Sequence, residues 1–167
     1  MKNTCYYDMG FVKIGLTEEN GAITQLIFAT KEEAAVGAKT ETPLLRGAVL
    51  QLEQYLAGRR KEFFLPLDPH GTEFMHRVWD ALETIPYGET RSYKQIASQI
   101  GHNRAYRAVG LANNRNPIPI IIPCHRVIGH NGKLVGYGGG LPVKERLLQL
   151  EQRYSMEQGK ADHACTD

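Results

Sequence analysis

Cys124 stands between Pro123 and His125 in the stretch "IPCHRVIG", just after a run of isoleucines. A thiol attacks as its thiolate, so a nucleophilic cysteine needs a base, a positive field or helix-end amides to draw off its proton. His125 and Arg126 offer the first two. Neighbours in a regular strand point to opposite faces, so imidazole and sulfur meet only if the chain turns at Cys124 or a water bridges them. Pro123 is the kind of residue that imposes such a break. Glu151, one helical turn after Leu147, lies beside the apolar stripe of a C-terminal helix, where it can orient the imidazole as the third member of a relay. The competing reading is a cysteine that only packs, because free cysteine is among the most buried residue types. A lone Cys-His pair leaves both readings open.

Other thiol chemistry fits less well. Cys5, Cys124 and Cys165 are an odd number at wide spacing, which gives neither a disulfide framework nor a CxxC motif. A zinc set of Cys124, His125, His130 and His102 matches no structural zinc spacing, so no metal is expected. A papain-like hydrolase does not usually carry a helix-turn-helix beside its nucleophile.

The elements that must hold this chemistry are readable from periodicity. Residues 4–30 are short β-rich runs broken by Gly10, Gly15 and the Asn20-Gly21 turn signal, which predicts a meander. In "TPLLRGAVLQLEQYLAG", apolar residues from Leu44 to Leu56 follow Thr42 as N-cap and Pro43 in the first turn, and Gly58 stops the helix. "FFLPLDPHG" is extended and carries two prolines, which puts a domain boundary near residue 70. Phe74, Met75, Val78, Trp79, Leu82 and Ile85 share the face of a further helix.

"RSYKQIASQIGHNRAYRAVGLANNRNP" reads as helix, tight turn, helix, with Ser92 capping the first and Ala105, Ala108, Val109 and Ala112 lining the second. Ordinary helical hairpins share that pattern. After Asn116-Pro117, "IPIIIPC" is expected to be extended and buried, since Pro119 and Pro123 forbid helix. "GHNGKLVGYGGGLP" is a glycine-rich loop around Tyr137, and the last helix begins at Pro142. Residues 156–167 read as a disordered polar tail.

The chain is 42% hydrophobic and 23% charged with a formal net charge of +2. No acid occurs from Thr90 to Lys144, a window that holds Arg91, Lys94, Arg104, Arg107, Arg115, Arg126, Lys133 and Lys144. The rest of the chain is net acidic. A local basic field around a helix-turn-helix is what a phosphate backbone attracts. No stretch reaches the roughly 20 apolar residues of a membrane span. The start, "MKNTCYYDMG", lacks the apolar core of a secretion signal. A cytoplasmic protein, nuclear if eukaryotic, with no membrane partner is expected.

"PCHRV", preceded by a helix-turn-helix and "NPIPIIIP" and followed by "VGYGGGLPVKERLLQLE", closely resembles the O6-alkylguanine-DNA alkyltransferases, also called methylated-DNA-protein-cysteine methyltransferases. The resemblance runs from about Phe74 to Glu151 and is weaker before that. It implies an RNase H-like α/β domain at 1–70 and a mainly α domain with a winged helix-turn-helix at 71–155. It further implies irreversible transfer of an alkyl group from O6 of guanine, with O4-alkylthymine left open, to Cys124. His125 is then the base through a water, Glu151 its support, and Asn116 the hinge between recognition helix and active-site segment. Arg107 matches the arginine that fills the space of the flipped nucleotide, and Tyr93 the tyrosine that crowds its phosphate. Arg104 and Arg115 extend that DNA-binding set.

Tyr137, Val127, Gly138 and Gly139 correspond to the substrate pocket, where Tyr137 O–H, Tyr93 O–H and loop amides are candidate donors. Gly138 departs from the serine that relatives often carry after the pocket tyrosine. No cofactor is implied, and the partner is double-stranded DNA carrying O6-alkylguanine. The protein is read as a monomer, with cooperativity along DNA undecided. Two other classes remain: a binding-only lesion sensor, in which the cysteine is replaced, and a helix-turn-helix regulator, which wants a dimer-forming helix and a ligand domain.

Overall fold

The computed structural model describes residues 2–38 and 40–165, with side chains as far as Met156. The predicted meander is an antiparallel sheet of β1 (Lys2–Asp8), β2 (Lys13–Glu19) and β3 (Ala22–Phe28), in that order. Asn20 and Gly21 turn the second hairpin with φ of 51° and 80°, the left-handed pair that a two-residue hairpin demands. A short helix, α1 (Lys31–Val36), follows. Hydrophobic periodicity does not announce it; a capping box between Thr30 and Glu33 starts it.

Helix α2 (Pro43–Leu56) is capped by Thr42, whose Oγ1 accepts from Leu45 N at 3.2 Å. Its Leu45, Ala48, Val49, Leu52 and Tyr55 pack on Ile14, Leu16, Ile23 and Leu26 of the sheet. The outer edge of β3 is occupied twice. Ile23 exchanges hydrogen bonds with the 66–68 segment, and Leu26 N donates to Pro117 O at 2.8 Å. An edge covered in this way cannot recruit a foreign strand, and it ties the sheet to the stretch that carries Cys124.

Helix α3 (Glu73–Glu83) buries Val78, Trp79, Ala81 and Leu82. A two-residue strand β4 (Arg91–Ser92) leads into α4 (Tyr93–Gln99), and Ser92 and Gln95 form the capping box there. After a turn comes α5 (Tyr106–Asn114), which buries Val109, Ala112 and Asn113, while Ala108 faces solvent. Trp79 Nε1 donates to Ala112 O at 2.9 Å and so pins α5 to α3.

Two expectations are corrected. Residues 116–123 are buried but not extended: Ile122 N donates to Ile118 O at 2.9 Å and Ile120 sits at φ 72°. The prolines exclude helix, as read, but they leave turns available. The run ends in a 3-10 turn, Cys124–Arg126, then β5 (Val127–Ile128), which pairs in parallel with β4. The second correction concerns the tail. Helix α6 runs Leu141–Cys165 instead of stopping at 156, because Glu157, Gln158, Lys160 and Ala161 favour helix and no proline interrupts them. Thr166 and Asp167 lie outside the described residues. No described helix is long and apolar enough to cross a membrane.

Candidate active site

The chain does turn at Cys124, which resolves the conflict between adjacent strand residues. His125 is completely buried, and its Nε2 lies 2.6 Å from Oε2 of Glu151, which α6 delivers to the interior. The same carboxylate receives four more donors. Arg126 reaches it through Nε to Oε1 at 2.8 Å and Nη2 to Oε2 at 3.0 Å. Gly88 N donates to Oε1 at 3.1 Å, and the Tyr55 hydroxyl from α2 donates to Oε2. Arg126 also donates from Nη1 to Ile85 O at 2.7 Å.

An ionised carboxylate only accepts, so the nitrogen facing it is Nε2–H and the lone pair of the ring lies on Nδ1. His125 Nδ1 is buried with no partner among the described residues. It is therefore the ring atom whose lone pair is unused.

Charge states follow from these contacts. Burial alone would raise the Glu151 carboxyl, but the hydrogen bonds and charges of His125 and Arg126 outweigh it and hold the group down to about 2. Burial lowers His125 below its ordinary range, against the pull of Glu151, so the resting imidazole is neutral. Burial pushes the Cys124 thiol up to about 11, only partly offset by the Asn116 side chain and the Lys144 ammonium. Cys124 rests as a thiol. It becomes a nucleophile only when a base takes its proton during the reaction.

Cys124 lies in the wall of a cavity of about 200 Å³ lined by Leu26, Phe28, Asn116, Pro119, Tyr137 and Gly138 among others. The Tyr137 hydroxyl is buried without a partner among the described residues, so it is free to donate to a bound group. Tyr93 differs: its hydroxyl already donates to Val135 O at 3.2 Å. Asn116 clasps its segment at both ends, donating from Nδ2 to Ile122 O at 2.8 Å and accepting at Oδ1 from Ile118 N at 2.9 Å. Val127, expected in the pocket, is instead in the core and offers only its carbonyl, to Lys144. A Cβ added at Gly138 would meet nothing within 4 Å, so the missing serine leaves open space.

Arg107 is exposed at the start of α5, its guanidinium 5.9 Å from the Tyr106 ring centroid. With Tyr93, Gly110 and Gly136 it lines a shallow groove near the cavity. Arg104 and Arg115 are exposed before and after α5. Two members of the acid-free window do not face solvent: Arg126 holds Glu151, and Lys144 is buried with Nζ 2.6 Å from Val127 O and 3.0 Å from Val135 O.

Sequence reasoning missed four participants. Lys144 lies three residues before Leu147 and seven before Glu151, so helical spacing already put it on the inner stripe. Tyr55 was readable as core, but its hydroxyl target was not. Asn113 donates from Nδ2 to Cys124 O at 3.4 Å, and Phe28 reaches the cavity from the sheet. No local signal marks either.

Comparison with known proteins places this geometry. The model of the 6-O-methylguanine DNA methyltransferase DNA-binding domain matches residues 73–153, and that of the same family's ribonuclease-like domain matches residues 5–69. The chain belongs to this family. The methylated-DNA–protein-cysteine methyltransferase of Mycobacterium leprae is 58% identical over 128 residues, covering 77% of this chain and 78% of that protein. The namesake of Methanosarcina barkeri is 64% identical over 107 residues, 64% of this chain and 68% of that protein.

Among solved structures, the Mycobacterium tuberculosis O6-methylguanine methyltransferase superposes with a TM-score of 0.81 at 46% identity, covering 92% and 94% of the two chains. A structure of the same organism's protein in complex with DNA gives 0.78 at 47% identity, covering 92% and 93%. The chain has the family's two-domain fold, an N-terminal sheet region and a helical C-terminal DNA-binding domain.

Proposed function

We propose that the protein repairs DNA by direct reversal, moving an alkyl group from O6 of guanine onto its own Cys124 in a single turnover. The observation that carries this is a protonated thiol at a cavity wall, next in the chain to a buried neutral histidine. The histidine's outer nitrogen is held by Glu151 and its inner nitrogen is unpartnered. His125 Nδ1 takes the thiol proton through a water, and the S–C bond forms as the C–O6 bond breaks in line. The electron pair returns to guanine, which the Tyr137 hydroxyl and loop amides near Gly138 and Gly139 stabilise. The imidazolium is compensated by Glu151. Carbon, proton and charge are all accounted for without a cofactor.

A lesion at O6 is inside the base stack, so the nucleotide must leave the helix to reach Cys124. In this reading 1–70 is the RNase H-like domain, and 71–155 holds a winged helix-turn-helix built on α4 and α5. The second helix enters the minor groove, which predicts little sequence preference. Arg107 occupies the emptied place in the stack, Tyr93 crowds the adjacent phosphate, and Arg104 and Arg115 meet the backbone. Asn116 keeps the hinge. The working form is a monomer on double-stranded DNA in the cytoplasm.

Intact-protein and peptide mass spectrometry after incubation with duplex DNA containing O6-methylguanine tests this. One added methyl per molecule, on the Cys124 peptide, is expected. An unmodified protein that still binds the lesion would replace the enzyme reading with that of a lesion sensor.

A further inference from the structure

The cavity beside Cys124 has walls of two chemistries. The helical domain contributes Asn113, Asn114, Asn116 and Tyr137, whose polar groups suit the edges of a base, whereas the sheet contributes Leu26, Ile27 and Phe28. In β3 alternate residues share a face. Leu26 is buried in the core, and Phe28, two residues on, projects the same way past its rim. The Phe28 ring lies 5.6 Å from that of Tyr137, tilted by 59°. It also backs the glycine loop: a Cβ placed on Gly139 would come 3.0 Å from the Phe28 ring. The strand is not free to withdraw, because Leu26 N is hydrogen-bonded to Pro117 O at 2.8 Å, next to Asn116.

From this we infer that Phe28, a residue of the N-terminal sheet, determines which alkyl groups the site accepts, by closing the apolar side of the cavity against Tyr137 and the Gly138–Gly140 loop. The inference rests on the alkyl-transfer reading above. A methyl group needs little of the apolar side. A larger alkyl group extends off the S–C–O line into it and competes with the ring.

Single-turnover rates on two duplexes of the same sequence, one with O6-methylguanine and one with O6-benzylguanine, isolate this effect because DNA docking is common to both. Phe28→Ala is expected to raise the benzyl-to-methyl rate ratio on the order of tenfold, the discrimination an apolar pocket gives for a change of a few atoms. Phe28→Leu, which keeps an apolar cover on the sheet, is expected to move the ratio the same way by less. A purely structural Phe28 would slow both substrates by one factor and leave the ratio alone, which would overturn the inference.

Gly139→Ala supplies an independent arm. It is expected to lower the methyl rate, and Phe28→Ala in the same chain is expected to restore it; no restoration counts against the contact. Wild-type protein that transfers no methyl removes both readings. Methyl transfer with an unmoved ratio removes only this one.

Discussion

Tyr55 and Glu151, 96 residues apart in the chain, share a hydrogen bond in the interior of the protein. The phenol comes from the helix that covers the N-terminal sheet and the carboxylate from the last helix. The Tyr55 hydroxyl also lies 3.3 Å from His125 Nε2. The N-terminal half thus acts on the imidazole that is proposed to activate Cys124, although it carries no residue of the PCHRV motif.

Tyr55→Phe keeps the ring and removes only the hydroxyl. Alkyl transfer should slow by about tenfold and stability should fall by about 2 kcal/mol, the scale of one hydrogen bond to a charged group. DNA affinity should not change. Rates on O6-benzylguanine free base, thermal melts and a DNA titration check the three parts; an unaltered transfer rate would show that His125 is oriented without Tyr55.

Arg126→Ala leaves the Glu151 carboxylate buried without its principal counter-charge. A loss of about 3–5 kcal/mol is expected, the usual cost of breaking a buried pair from one side. Arg126→Met combined with Glu151→Gln should lose less than Arg126→Ala alone. Urea unfolding of the variants decides it.

Acid should destabilise the protein from two directions with the same sign. Glu151 is held at about 2 when folded, against an ordinary value of about 4.3. Its contribution is complete above that ordinary value and is lost as pH falls through the folded one. Burial lowers His125, so below about 6.5 the unfolded chain gains a proton that the folded chain resists. The urea midpoint should fall below about pH 6.5 through His125 and fall further below about pH 4.3 through Glu151. A midpoint that rises over the first span contradicts the His125 assignment, and one that rises over the second contradicts that of Glu151.

The resting thiol should be unreactive. With Cys124 pushed up to about 11, its alkylation by iodoacetamide should rise about tenfold per pH unit from 8 to 10. A plateau near neutral pH, followed by peptide mass spectrometry, would reveal a standing thiolate instead.

Arg107→Ala should slow repair of duplex DNA far more than reaction with free O6-benzylguanine, because a side chain that replaces a flipped nucleotide has no task without a helix. Equal losses on the two substrates remove that role.

The legible parts of this structure are those where local chemistry and tertiary context agree. Thr42, Ser92 and Asn20-Gly21 each fix a cap or turn from within a few residues, and the inner stripes of α2 and α3 follow from periodicity alone. Glu151 was visible because it rides on such a stripe. The path of 116–123 was not, because prolines exclude helix without choosing between strand and turn. Lys144 and Arg126 looked like part of a basic surface because charge counting has no depth. The partners of Tyr55, Asn113 and Phe28 depend on how two halves of the chain dock, and no window of sequence contains that.

The saturated Glu151 carboxylate has a consequence for how the molecule comes apart. Its donors arise from α2, the turn at Gly88, the 3-10 turn at His125 and Arg126, and its own seat is in α6. Lifting the sheet region away from the helical region takes the Tyr55 hydroxyl from that carboxylate and uncovers the ion pair it shares with Arg126, so the two halves do not come apart without loosening the cluster. Heat should melt the chain in one transition. A protease that nicks the exposed end of the connection at 70–72 should leave two fragments that stay together until the cluster itself gives way.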